Sequence, residues 1–304
     1  MRADTTQGGT SLPPAAGSAL PPRAGHGRFL RYRIDAVSVA VVVATLGLQL
    51  TAYLLAWPWY ALLPIVLCVR QLHLVEHNHA HLKIFRQQFL NEVLGWMCFV
   101  SNGFPLECYE LHHVHNHHRH TQRFDEGARD WSSTFGFAGT RHPDQPVSRL
   151  YYVLTFMTLA WLHCWIEVLR RPGDAVSRRF FRSALVCFAA CGALAYARPW
   201  EFVLFFLVPW LVIYLGVASN NYDHHHGCKL TTPHDSSNVD LRFPYRGFGF
   251  NIGYHVAHHV KPTLHWSLLP GLHRELAPLI PAQNYVVPPP ELGAAAAPSE
   301  LARF

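Results

Sequence analysis

Residues 36–57 read AVSVAVVVATLGLQLTAYLLAW, 22 consecutive positions without a charged side chain. At 1.5 Å per helical residue such a run covers the roughly 30 Å of bilayer hydrocarbon, so it reads as a transmembrane helix. Trp57-Pro58-Trp59 then makes an interfacial aromatic turn, and residues 60 to about 76 run back, without a charge until Arg70 near the end. Residues 183–198 and 200–219 repeat this pattern around Arg198-Pro199-Trp200. Two apolar hairpins, four spans in all, are predicted.

Two further apolar stretches read differently. Residues 89–105 are short and broken by Asn102, Gly103 and Pro105, which predicts a re-entrant or buried segment. Residues 150–169 are long enough to cross, but Arg170, Arg171, Arg178, Arg179 and Arg182 follow them. Crossing would strand these arginines opposite Arg23, Arg28, Arg31 and Arg33, so the segment is placed along the interface, where Tyr151, Tyr152, Trp161 and Trp165 are at home. The positive-inside pattern then puts both termini on the cytoplasmic face, expected to be that of a bacterial inner membrane.

Composition agrees. The 304 residues are 50% hydrophobic and 14% charged, well below the ~25% charged share of soluble domains. The net charge of +6 lies beside apolar runs and forms no aromatic-interleaved basic face, which speaks against nucleic acid as a partner. Seven scattered cysteines contain no C-x-x-C pair, so neither a disulfide framework nor an iron–sulfur site is encoded. Residues 1–30 and 287–304 are rich in Pro, Gly and Ala and read as disordered tails around one domain, residues 31–286. The fold class expected is an all-α integral membrane protein: two transmembrane hairpins, interfacial helices and a cytoplasmic histidine-rich cap.

Histidine sets the chemistry. Four clusters, around His73–His81, His112–His120, His224–His226 and His255–His259, hold sixteen of the 22 histidines, each next to an apolar segment. Neutral imidazole is the commonest protein ligand for redox-active first-row metals. On a helix His77 and His81 share a face, but so do His73 and His77, which leaves the register open. On a helix His113 and His117 likewise share a face with His118 a step around, so two neighbouring metals could each draw on this cluster. His112, His115 and His120 exceed what one site can use. Asp125, Glu126 and Asp130 follow and read either as acceptors for the outer N–H of ligating imidazoles or as a solvated acidic loop. His255, His258 and His259 form H-x2-H-H, and His225, directly after the last span, can reach the same site, ranked above His224 and His226.

These residues resemble the membrane fatty acid desaturase and alkane hydroxylase superfamily, whose boxes read H-x3-H, H-x2,3-H-H and H-x2-H-H. His77-Asn-His-Ala-His81 with Leu90-Asn91 and Gly95 is similar to the first box, His113 with His117-His118 and Thr121 to the second, and Asn251 through Pro262 to the third. Asn221-Tyr-Asp-His-His-His-Gly227 is similar to the NYxEHYG element of alkane monooxygenases, with His224 in place of its Glu. The resemblance spans roughly residues 35–275. It implies metal ligation by His77, His81, His113, His117, His118, His225, His255, His258 and His259, and leaves His73, Asn221, His224, Asp125 and Asp130 as further ligands or hydrogen-bond partners.

Nine imidazoles are too many for one closed site and suit two irons working with O2 as co-substrate. That chemistry is directed at an inert, lipophilic aliphatic or fatty acyl chain, with desaturation expected first and hydroxylation, or decarboxylation to a terminal alkene, as alternatives from the same site. No haem-binding HPGG element or ferredoxin-type cysteine pattern is present, so a separate electron donor, a ferredoxin, rubredoxin or cytochrome with its reductase, is implied. The Arg170–Arg182 loop offers such a donor a basic surface, but anchoring on the positive-inside face is the favoured reading of it. A histidine-rich metal transporter is the rival from another class. It would carry ligands at mid-membrane, and spans 36–57 and 200–219 contain no histidine and, apart from Glu201 beside the turn, no charge.

Overall fold

The computed structural model describes residues 28–125, 128–135 and 146–287. Most of both tails predicted from composition lies outside the described residues, as does Glu126. Four helical stretches are long and apolar enough to cross a membrane: Asp35–Leu54 (α1), Trp59–His81, Ala175–Ala197 (α7) and Pro199–His225. The second contains α2, Leu62–His81, and the fourth contains α9, Val208–His225. Apart from a minimal antiparallel pair, β1 (Phe124–Asp125) with β2 (Ala128–Arg129), the described residues form no sheet, so the fold is helical as expected.

The spans are built inside out relative to a soluble bundle. Val37, Val43, Leu63, Leu67, Leu185 and Leu211 face outward, while α1 buries Ser38, Thr45 and Gln49 along one stripe. Without water, each buried polar group must find a partner within the protein. The amide of Gln49 donates to the carbonyls of Ser101 (3.0 Å) and Phe205 (2.9 Å), and the Thr45 hydroxyl donates to the carbonyl of Val41 at 2.7 Å. Phe205 lies in a π-helical turn, Val203–Leu207, whose widened ladder leaves a carbonyl for an outside donor.

Both hairpin turns lie at one end of the bundle. There Arg198 donates to the carbonyl of Tyr53 (3.3 Å), and the Tyr53 hydroxyl donates to the carbonyl of Leu194 (2.9 Å). The histidine clusters gather at the opposite end. There Asp35 accepts hydrogen bonds from His265 (3.1 Å) and Trp266 (3.3 Å), fastening the C-terminal region to the start of α1.

Helix α3, Gln88–Asn102, descends from the histidine end and is too short to be a span. It stops at Gly103, whose φ of +76° closes the helix and where a Cβ would lie 2.4 Å from the Trp210 ring. Asn102 accepts a bond from Phe104 N (2.9 Å), and α4, Leu106–Tyr109, climbs back toward the histidines. The break predicted from Asn102, Gly103 and Pro105 is therefore where the chain reverses. Helix α6, Arg149–Arg170, has two halves, Arg149–Phe156 and Thr158–Arg170, that meet at 40°, and neither alone reaches the ~20 residues a span needs. It packs on α9 through Tyr152, Phe156, Ala218 and Tyr222.

Candidate metal centre

Two compact groups of imidazoles form at the histidine end: His77, His81, His113 and His258, and His117, His225, His255 and His259. In each, four ring nitrogens lie within 4.8 Å of one another. Each group draws on three or more segments distant in sequence. Helix α2 delivers His77 and His81 to the first group one turn apart, while His73, one turn earlier, stays outside it. Helix α10, His255–Val260, splits its cluster, sending His255 and His259 to the second group and His258 to the first.

The second cluster corrects the sequence reading. Residues Glu110–His117 are a π-helix, not an α-helix. Its i→i+5 ladder turns through less per residue than the roughly 100° of an α-helix, so residues five apart come closer to one face than they do on an α-helix. His113 and His118 thereby approach to 3.2 Å between Nε2 atoms, while His117 points into the other group. His113 and His117 remain side by side, their rings stacked with centroids 5.2 Å apart, but each enters a different group. His118 stands between the groups, with Nε2 3.0 Å from that of His258 and its ring centroid 4.3 Å from that of His259.

The spacing of these nitrogens tests whether metal fits. Nε2–Nε2 separations are 3.0 Å for His77–His258, 3.2 Å for His255–His259 and 3.4 Å for His225–His255. Two imidazoles ~2.1 Å from a common ion and ~90–110° apart would have nitrogens ~3.0–3.4 Å apart. The buried Nε2 atoms of His81 and His117 also have no hydrogen-bond partner, as fits lone pairs turned toward a metal ion. Burial, reinforced by neighbouring imidazoles, holds His113, His118, His255 and His259 below the usual imidazole range and pushes His258 down to about 3. The rings are therefore neutral, the form that ligation requires.

Outer hydrogen bonds orient the rings. His117 donates from Nδ1 to Asp130 at 2.8 Å. Burial alone would raise the Asp130 carboxyl, but the His117 ring, the Ser132 hydroxyl and the Gln122 amide together hold it below its ordinary value. His225 donates from Nδ1 to the carbonyl of Ser236 (3.0 Å) and His259 to the Thr121 hydroxyl (3.4 Å). His77 Nδ1 lies 3.3 Å from the Tyr109 hydroxyl, which in turn lies 3.2 Å from His73 Nε2. Sequence spacing gave no signal for Tyr109, Ser132 or Ser236.

The remaining predicted residues stand outside both groups. His73 sits behind Tyr109, His224 stacks on His255 with centroids 4.0 Å apart, and Asn221 donates to the Tyr152 hydroxyl at 2.5 Å. Asp125 belongs to β1, and its side chain lies outside the described residues. Among the surplus histidines, His79 is a core residue that accepts from Ile84 N (3.2 Å), and His112 packs edge-on to Phe156. The arginine loop is partly engaged: Arg179 pairs with Glu110 and Arg182 with Glu92, both at the histidine end.

An apolar cavity touches both groups, bordered by His77 and His113 from the first, His255 from the second, and Leu74, Phe104, Phe156, Ala160, Val217 and Ile252. Among known proteins, the chain is similar to sn-1 oleoyl-lipid 12-desaturases. Those of Picosynechococcus and Synechocystis are each 25% identical over 205 residues, covering 62% and 61% of this chain and 56% and 57% of theirs. That of Arthrospira platensis is 24% identical over 273 residues, 79% of this chain and 75% of its own. The chain thus spans little more than half the length of the first two relatives. Residues 51–289 match the fatty acid desaturase family, and since that is most of the sequence, the chain belongs to this family.

Proposed function

We propose that the chain introduces a double bond into a fatty acyl chain in an O2-dependent reaction at two irons, one held by His77, His81, His113 and His258, the other by His117, His225, His255 and His259, with His118 between them. The observation that carries this reading is the cavity: ligand candidates of both groups border a single apolar space. Bound iron would supply the oxidising power toward an unactivated C–H bond that amino-acid side chains lack. The chain's own residues bind, orient and exclude water. Leu74, Phe104, Phe156 and Ile252 give an aliphatic chain an apolar wall and hold it beside the imidazoles. Asp130, Ser236 and Thr121 fix which nitrogen each of three rings presents inward.

Taking two hydrogens from neighbouring methylenes supplies two of the four electrons that reduce O2 to two waters. The other two come from a separate donor, of the ferredoxin, rubredoxin or cytochrome class. The histidine end faces the cytoplasm in this reading, because Arg179 and Arg182 lie there and positive side chains are retained on that face. The names of the three relatives favour desaturation over hydroxylation of the same chain. The test is expression with a reductase system, followed by lipid and hydrocarbon profiling. New double bonds are expected, and alcohols or terminal alkenes in their place would overturn desaturation as the outcome.

A further inference from the structure

A second, polar pocket adjoins the apolar cavity, and the two share Asn220 and His224 as wall. Its other lining side chains include Arg149, Asp223, Asp240, Arg242 and Tyr245. His224 separates it from the metal centre by stacking on His255, and Tyr245 reaches Asn220 at 3.5 Å. A substrate threaded past Asn220 and His224 would therefore have its chain beside the imidazoles and its polar end among these residues.

The charges in this vestibule are balanced. Arg149 pairs with Asp223 at 2.8 Å, and Arg242 grips Asp240 through two nitrogens at 2.9 and 2.8 Å. An anionic substrate, whether a free carboxylate or a phosphate-bearing thioester, would meet guanidiniums already neutralised and two carboxylates that repel it. Asp223 also has an acceptor to spare: its Oδ2 takes the Arg149 bond, while its buried Oδ1 has no hydrogen-bond partner. A buried acceptor without a partner is costly unless a ligand brings a donor to it.

We propose that this vestibule holds the substrate's headgroup, and that the substrate is an ester-linked acyl lipid whose headgroup carries no net charge and donates hydrogen bonds. This rests on the acyl-chain reading of the adjoining cavity. Hydroxyls of a sugar headgroup and the phosphate–ammonium pair of a zwitterion share the required chemistry, since each presents donors to Asp223 and acceptors to Arg149 and Arg242 without breaking either ion pair.

The test is equilibrium binding to the purified full chain in non-ionic detergent, with four probes: hexosyl dioleoylglycerol, dioleoylphosphatidylethanolamine, oleate and oleoyl-coenzyme A. At least one ester lipid is expected to bind about tenfold more tightly than either anion, and the better of the two identifies the headgroup type. Arg242→Gln should weaken ester-lipid binding by about tenfold. Asp223→Asn should weaken it too, yet tighten oleate binding, because Arg149 loses its counter-charge. That opposite response cannot come from a loosened fold. Preferential binding of oleate or oleoyl-coenzyme A by the unaltered chain, or an oleate affinity that Asp223→Asn leaves unchanged or lowers, would overturn the proposal. Product analysis separates the two readings: double bonds formed on preferentially bound anions would leave desaturation standing and remove the headgroup site, whereas ester-lipid binding without any oxidised product would do the reverse.

Discussion

The two histidine groups differ in how firmly they are held. In the second group three of four rings are anchored from behind, His117 by Asp130 and Ser132, His225 by the Ser236 carbonyl and His259 by Thr121. In the first, His77 has Tyr109, while both nitrogens of His81 lack a hydrogen-bond partner. The second group is thus oriented before any metal arrives, and the first relies more on the metal to orient it. Such an asymmetry predicts unequal affinities, with the second site filling first.

The largest effect should come from removing a ligand that belongs to one group only. His258→Ala is expected to abolish product and strip iron from the first group while the second keeps its own. His259→Ala should also abolish product and empty the second, leaving the first, weaker site poorly filled. Iron analysis of the two purified variants checks this, and equal loss from both would break the comparison. Asp130→Asn should lower metal affinity of the second site by about 10- to 100-fold, measured by competition with a chelator. Tyr109→Phe, which removes the longer 3.3 Å contact behind His77, should cost the first site less, by about severalfold. A larger loss from Tyr109→Phe than from Asp130→Asn would reverse the ranking.

The smallest effect is the pH dependence of the metal-free protein. His113, His118, His255, His258 and His259 titrate below the ordinary imidazole value when folded, His258 at about 3, because burial opposes their charge. The unfolded chain binds those protons near pH ~6.5, so below that pH it holds more protons than the folded state and stability falls with acidification. Asp130 acts in the same direction at lower pH: its folded value is depressed, and its contribution, present above ~3.9, is lost as pH falls further. Thermal unfolding at pH 7.5 and 5.5 should show a lower Tm at the acid value, and a higher one would contradict the neutral-ring assignment.

The spans and the gathering of histidines at one end were legible in the sequence because apolar length and arginine placement are one-dimensional signals. The division of the histidines between two groups was not. Whether His113 pairs with His117 or His118 depends on the ladder of Glu110–His117, and neither residue identity nor spacing announces a π-helix there. The register of α2 was ambiguous because three histidines at four-residue intervals share one face, and only packing shows that His73 faces Tyr109 and His81 the ligand group. Asp130 could be anticipated as a carboxylate shortly after a histidine run, whereas Ser236 acts through a backbone carbonyl, which no side chain advertises. The vestibule was invisible for a related reason: Arg149, Asp223 and Arg242 come from three separate segments that only the folded chain brings together.

In the proposed reading two imidazole groups hold two irons. Metal analysis of the purified chain, together with Mössbauer spectroscopy after growth on 57Fe, tests it most directly. Two irons per chain are expected, falling to one in His258→Ala, with nitrogen-rich high-spin ferrous signals on reduction. A chain carrying one zinc and no iron would contradict it.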